Sequence, residues 1–135
     1  ELVINDVIST NLTGLIHITK LIIPILKKQS DGIIINVSSH SGINAKAGQS
    51  VYSASKWGVR GFTEVIREDL RKTSIKVGGV YQGGVKTNMF FKTGEKFAPG
   101  VHENFMDPKD LAKIIIFMLS QPKNIWLEEV RVNYK

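Results

Sequence analysis

The sequence predicts an α/β domain built on a parallel sheet, and three stretches carry that prediction. Gly32-Ile33-Ile34-Ile35-Asn36-Val37 is a short apolar, β-branched run that begins after Asp31-Gly32. Such a run, bounded by turn residues, reads as a strand covered on both faces, the kind found in parallel sheets. A long helical pattern follows from about Val51 to Lys72, and then a second strand pattern, Ile75 to Tyr81. Strand, helix and strand in that order build parallel pairing.

The chain opens inside a helical pattern. At 100° per residue, Asn11, Leu15, Ile18, Ile22 and Ile25 share one face, extended by Leu12, Ile16, Ile23 and Leu26. Thr13, His17, Lys20, Lys27 and Lys28 lie opposite, and Pro24 is expected to bend or end the helix. Asn11 falls on the apolar face, where a polar side chain needs partners. Gly42 and Gly48 keep the segment after the first strand a loop. In the second helix, Tyr52, Lys56, Val59, Thr63, Ile66 and Leu70 form one face, and Ala54, Gly58, Gly61, Phe62 and Val65 another. Two glycines on one face imply the close approach of another helix.

The Ile75–Tyr81 strand carries Gly78 and Gly79, with Gly83 and Gly84 beyond it. No helix pattern follows at once and no Gly-x-Gly-x-x-Gly spacing exists, so this is not a phosphate loop. Gln82 to Met106 is a long connection, partly apolar through Met89, Phe90, Phe91 and Phe97. Asp107-Pro108-Lys109-Asp110 reads as a helix start, with Asp at the N-cap and Pro at the first position. That helix is expected to run to about Ser120, and Glu128 to Asn133 alternates as a last strand.

At 135 residues the chain is one domain at most, and it has no Cys, so it has neither a disulfide framework nor a thiolate metal site. The 18 Lys and Arg against 12 Asp and Glu give a net charge of +6. The basic residues are scattered, which reads as a solvated surface and gives no support to nucleic acid binding. The longest apolar stretch, around Leu12 to Leu26, contains His17, Lys20 and Pro24 and is read as no transmembrane span. No signal peptide is visible, and no membrane partner or metal is expected. A cytoplasmic location fits this composition.

The chemistry concentrates between Ser39 and Lys56. Ser39 stands at the carboxyl end of the first strand, where open α/β sheets bind ligands. Tyr52 and Lys56 are four residues apart, so they lie one above the other on a helix. A free phenol is a poor base at neutral pH, and a nearby ammonium favours its phenolate. Tyr beside Lys can exchange a proton with a substrate oxygen, and a serine hydroxyl can donate a hydrogen bond to the same oxygen. That is equipment for interconverting a carbonyl and an alcohol, with the hydride supplied by a cofactor.

Tyr52-Ser53-Ala54-Ser55-Lys56 resembles the Tyr-x-x-x-Lys signature of the short-chain dehydrogenase/reductase family. Asn36-Val37-Ser38-Ser39 matches the family's Asn-x-Ser-Ser context for its catalytic Ser, and Asn11-Leu12-Thr13-Gly14 its Asn-x-x-Gly element. Gly83-Gly84-Val85-Lys86-Thr87 is similar to its Pro-Gly-x-Val-x-Thr segment, with Gln82 in place of the usual Pro. The resemblance covers essentially the whole chain. It implies a Rossmann-like doubly wound parallel sheet, here only its second half. Residues 1–135 would be the carboxyl-terminal part of a single NAD(P)-binding domain, without the Gly-rich half that precedes it.

The resemblance further implies Ser39, Tyr52, Lys56 and Asn11 as catalytic residues, Asn11 through a water that links Lys56 to solvent. It implies Tyr52, Lys56, Gln82, Gly83, Val85 and Thr87 as contacts to NAD or NADP. The substrate would be a small-molecule carbonyl or alcohol, the Gln82–Met106 connection a substrate lid, and the protein a homodimer or homotetramer. The Gly58/Gly61 face would then meet another subunit. No Gly-rich tail ends the chain, which argues against the fatty-acid-synthesis ketoreductase branch. Residues 1–135 alone are expected to be inactive, to associate through an open strand edge, and to bind NAD(P)H weakly. Two rivals remain in other classes. One is a dinucleotide-binding relative without activity. The other is a serine acyl-enzyme hydrolase, since Ser53-Ala54-Ser55-Lys56 fits Ser-x-x-Lys and Lys92-Thr93-Gly94 fits Lys-Thr-Gly, with the middle Ser-Asp-Asn motif missing.

Overall fold

The computed structural model describes residues 2–92, 94 and 97–135, with the side chains of Leu2 and Phe91 left aside. It is an α/β fold with a three-stranded sheet in the order β1-β2-β3. Strand β1 is Gly32–Val37, β2 is Ile75–Gln82 and β3 is Glu129–Val132. Both pairings are parallel, with Gly32 opposite Ile75 and Val80 opposite Val130. The sequence places all three strands correctly.

The first helix is longer and less regular than its pattern predicts. Helix α1 (Leu2–Ile8) passes into a π turn at Ser9–Thr13 and continues as α2 (Gly14–Gln29). Pro24 neither ends nor stops it. Proline deprives the carbonyl four residues back of its helical partner, and here that residue is exposed Lys20, whose carbonyl water can serve. The helix ends instead at Ser30, which turns left-handed with φ 56°. The wider π turn also shifts the helical wheel. Leu12, Ile16, Ile23 and Leu26 are half-buried and Thr19 is buried, whereas Ile18 and Leu21 remain 63% and 72% exposed. By length and composition, Val3–Gln29 is long and apolar enough to cross a membrane, which its charged and Pro residues had argued against. In this fold its half-buried side packs on β1 and α3.

Helix α3 (Ser50–Leu70) covers the sheet with the predicted face: Val59, Thr63, Ile66 and Leu70 are buried. Ile66, Leu70, Ile75 and Val77 form the core, with Ile23, Leu26, Ile34 and Phe62 packed around it. Asn36 on β1 donates to the Thr63 hydroxyl on α3 at 2.9 Å, a buried polar tie through that core. The helix that approaches Gly58 is the chain's own: a Cβ there would lie 2.7 Å from Leu12 Cδ2. This corrects the expectation of a subunit contact at Gly58, while Gly61 faces open space. Gly78 and Gly79 make room for Trp126 and the Tyr81 phenol.

Helix α4 (Met89–Lys92) lies in the connection after β2, and α5 (Pro108–Leu119) follows it. Asp107 caps α5 by accepting from Lys109 N at 2.8 Å, with Pro108 in the first turn as predicted. Arg60 of α3 pairs with Glu129 of β3 at 3.2 Å. Among the described residues strand β1 pairs with β2 alone, and Ile33 and Val37 are 37% and 38% exposed. The expectation of a strand covered on both faces therefore holds only in part.

Candidate active site

The carboxyl end of β1 passes into a loop that is bonded to α3 at several points. Ser38 N donates to Val80 O at 2.8 Å, the last rung between β1 and β2. The Ser38 hydroxyl then donates to the backbone carbonyl of Lys56 at 3.0 Å. Ser39 is extended and caps a 3-10 turn, His40–Gly42, its Oγ accepting from Ser41 N at 3.1 Å. Gly42 lies so close to α3 that a Cβ would sit 2.7 Å from Lys56 O and 3.0 Å from Lys56 C. The residue type is dictated by that approach. Ser41 Oγ reaches Gln49 Oε1 at 3.1 Å, and Gly48 turns the chain into α3 with φ 79°.

These bonds set Ser39 and the first turn of α3 side by side. Tyr52 and Lys56 share one side of α3, with the Lys56 Nζ 5.7 Å from the centre of the Tyr52 ring. Burial pushes the Lys56 ammonium below the usual lysine range. Asn11 sits inside the π turn, a feature often found at functional positions. Its Nδ2 lies 3.2 Å from Ser55 Oγ, and Ser55 Oγ donates to Tyr52 O at 2.7 Å. Asn11 thus reaches α3 between the two catalytic candidates, through Ser55.

A cleft of about 1180 Å³ opens at this end of the sheet. Ser39 and Tyr52 line it, as do Gln82, Gly83, Val85 and Thr87 from the turn after β2, so six sequence-predicted residues share one cavity. Lys56 and Asn11 are not part of its wall. Val85 forms an isolated parallel bridge with Met106: Lys86 N donates to Met106 O at 2.9 Å, and Met106 N to Gly84 O at 3.0 Å. In that pattern the N–H and C=O of Val85 itself point to the other side. Gln82 Oε1 is buried and has no hydrogen-bond partner among the described residues.

The opposite wall is aromatic. Phe90 and Phe97 meet edge to face at 5.1 Å, Phe97 and Phe105 at 5.1 Å, and Phe105 and Tyr134 at 4.9 Å. A Cβ on Gly84 would strike the Phe105 ring. Asn133 and Tyr134 also line the cleft. Sequence reading missed Ser38, Ser41, Gln49 and Ser55; their only signal is polar residues clustered about Ser39 and Tyr52. The Ser-x-x-Lys alternative lacks an accessible nucleophile, because the Ser53 hydroxyl is buried. Thr93 of its second motif lies outside the described residues. No group of three or more potential metal ligands occurs among the described residues.

Comparison with known proteins identifies the same fold. The family model described as short chain dehydrogenase matches residues 1–97. The 3-oxoacyl-(acyl-carrier-protein) reductase FabG of Thermotoga maritima is 36% identical over 119 residues, which span 84% of this chain and 48% of that protein. A probable NADP-dependent dehydrogenase of Haemophilus influenzae is 34% identical over 133 residues, 94% of this chain and 53% of the relative. Among solved structures, the closed form of serine dehydrogenase complexed with NADP+ superposes with a TM-score of 0.82 at 28% identity. That match covers 92% of this chain and 52% of the enzyme. The chain thus spans about half the length of the curated relatives it matches. With its parallel sheet, its Ser-Tyr-Lys arrangement and a family match over most of its length, the chain belongs to the short-chain dehydrogenase family.

Proposed function

We propose that the protein carrying this chain is an NAD(P)-dependent oxidoreductase that interconverts a carbonyl and an alcohol. The observation that carries this reading is that Ser39, Tyr52 and the Gly83–Thr87 turn face one cleft, with Lys56 beside Tyr52. A nicotinamide cofactor, when bound, supplies or accepts the hydride. In reduction Tyr52 gives its phenolic proton to the substrate oxygen, and in oxidation it takes that proton back. The Ser39 hydroxyl already accepts from Ser41 N, which leaves its one O–H to donate to the same oxygen. Lys56 places positive charge beside the Tyr52 oxygen as negative charge develops there, and holds the ribose next to the nicotinamide. Asn11, linked to α3 through Ser55, supports the exchange of the proton with solvent.

The turn after β2 fits the carboxamide of a nicotinamide. That group needs a donor for its oxygen and acceptors for its NH2, and the Val85 N–H and C=O lie free of the Met106 bridge. Thr87 adds a hydroxyl on the same wall, and Gly83 and Gln82 flank it. The cleft exceeds the roughly 300–1,000 Å³ of common single-ligand sites, which leaves room for a nicotinamide and a substrate together. NADP is favoured over NAD, because the dehydrogenase relative is named NADP-dependent and the solved neighbour holds NADP+.

The aromatic wall favours a substrate with an aromatic or aliphatic body next to its carbonyl. A small charged amino acid, the substrate that the name serine dehydrogenase denotes, would leave those rings without a contact partner. Phe90, Phe97 and Phe105, all in the Gln82–Met106 connection, serve as the lid over that body. The whole protein is cytoplasmic and homo-oligomeric, a dimer or tetramer, and exposed Ile18, Leu21 and Val65 supply apolar surface for assembly. The test is a spectrophotometric screen of the full-length protein with NADPH or NADH against aromatic, long-chain and short polar ketones. Cofactor oxidation with the apolar ketones is expected; no oxidation with any carbonyl, together with no cofactor binding, would sink the reading.

A further inference from the structure

The turn after Ser39 is held to α3 at two places. One is Lys56: the Ser38 hydroxyl donates to Lys56 O at 3.0 Å, and Gly42 lies against the same carbonyl group. Both contacts meet one peptide group of α3, which leaves the rotation of the turn about that group to be set elsewhere. The other place is a side-chain bond. Ser41 Oγ donates to Gln49 Oε1 at 3.1 Å, closing off an exposed stretch at residues 44–48. A directional bond at a second point fixes the rotation.

Ser41 engages both of its donors here. Its N–H is on Ser39 Oγ at 3.1 Å, and its O–H is on Gln49. Gln49 carries the frame into the helix: its backbone carbonyl accepts from Ser53 N at 2.8 Å, and Ser53 directly follows Tyr52. The residue type at position 49 adds a second reason. Gln49 is the N-cap of α3, a place that favours Ser, Thr, Asp and Asn because their short side chains bond the first helical N–H groups. Gln49 makes no such bond. Its side-chain oxygen is engaged by Ser41 instead, so the helix start forgoes a cap and the turn gains a tie.

We infer that the Ser41–Gln49 pair is a positioning device that aims the Ser39 hydroxyl at the same substrate oxygen that Tyr52 serves. The inference rests on the oxidoreductase reading above. Neither residue moves a proton; both act through Ser39. With the tie broken, the turn rotates about Lys56 and the Ser39 O–H drifts off the reacting oxygen, while the turn after β2 is untouched.

The test is steady-state ketone reduction by the full-length protein as wild type, Ser41→Ala, Gln49→Asn and the double variant. Ser41→Ala removes the hydroxyl and keeps the N–H on Ser39. Gln49→Asn keeps the amide, falls one methylene short of Ser41, and is a favoured cap. Each single variant should lower kcat about ten-fold, with KM for the ketone and Kd for NADPH within about two-fold of wild type. The double variant should be no slower than the slower single, because both remove the same bond. Gln49→Asn should also melt no lower than wild type, which separates aiming from folding. Losses that multiply in the double variant, wild-type kcat in either single, or a loss that only follows a lowered melting temperature would overturn the inference and leave the oxidoreductase reading standing. Failure of wild type to oxidise NADPH or NADH with any carbonyl, together with failure to bind either, would overturn both.

Discussion

On one side of the cleft, Ser39 and Ser41 in the wall and Asn36 and Ser38 buried behind it are each bonded at 2.9–3.1 Å to a named atom of α3, of its lead-in or of their own turn. On the other, Phe90, Phe97, Phe105 and Tyr134 hold one another ring against ring, above a backbone bridge at Val85 and Met106. Hydrogen bonds are directional and set positions to fractions of an ångström, whereas apolar contact is non-directional and can be remade with new partners. Gly94 and Gly100 both take positive φ in the connection that carries three of these rings, and α4 has only four residues. The contrast separates two jobs. In the reaction proposed above, the geometry of proton transfer would belong to the bonded wall, and the fit to different substrates to the aromatic one.

The strongest way to break this division is at Tyr52. Tyr52→Phe in the full-length protein should lower kcat by roughly 10²–10⁴-fold, the usual weight of one positioned acid/base group. Cofactor affinity should stay close to wild type, because the ring remains. Carbonyl reduction at the wild-type rate would place the chemistry elsewhere. Next comes the tie behind the bonded wall. Thr63→Val leaves the buried Asn36 amide without its acceptor and should cost about 1–3 kcal/mol in urea unfolding. An unchanged midpoint would show that this wall does not depend on its polar ties.

The aromatic wall should respond differently. Phe97→Ala should reduce kcat/KM about ten-fold for aromatic ketones, mostly through KM, and change short ketones little. A fall in kcat of the same size for every ketone would erase the distinction between the walls. The smallest effect concerns charge. Burial lowers the Lys56 pKa in the folded state from the ordinary 10.5, so below the folded value the ammonium costs the fold a constant amount. As pH rises from the folded value toward 10.5, the unfolded chain binds more protons than the native one, and stability rises. Lys56→Met should therefore be more stable than wild type by a margin that is constant below the folded-state value and shrinks from there toward pH 10.5. A margin that stays flat across that whole range, in melts taken from pH 7 to 11, would contradict the burial of that charge.

Much of the fold could be read from residues because local pattern and tertiary role agree there. The β-branched run at Ile33–Ile35, the Asp107-Pro108 cap and the buried face from Val59 to Leu70 each follow one periodicity or one cap rule. Ser39, Tyr52 and the turn at Val85 were legible because residue type, spacing and strand end coincide, and they do share the cleft. The first helix misled for a physical reason. A wheel of constant angle has no means of showing the π turn at Ser9–Thr13, and Pro24 was tolerated because an exposed carbonyl can turn to water. The aromatic wall was not legible either. Its rings are up to some 44 positions apart, from Phe90 to Tyr134, and only long-range packing brings them together. The partner of Gly58 was likewise a tertiary matter, since Leu12 supplies it from another helix.

The π turn also constrains how this helix can vary in length. An α-helix advances about 100° and 1.5 Å per residue, and a π turn holds one residue more than an α turn. Deleting a single residue between Ser9 and Thr13 would give a regular helix with better local bonding. Because the extra residue is absorbed within the one turn, the helix on either side would keep its direction, and Val3 and Val7 would keep their place on the cleft. The loss would fall on the turn itself, where Asn11 would shift away from Ser55. The five residues of this turn are a local detour: they set where Asn11 reaches α3, while the rest of the helix runs on unchanged.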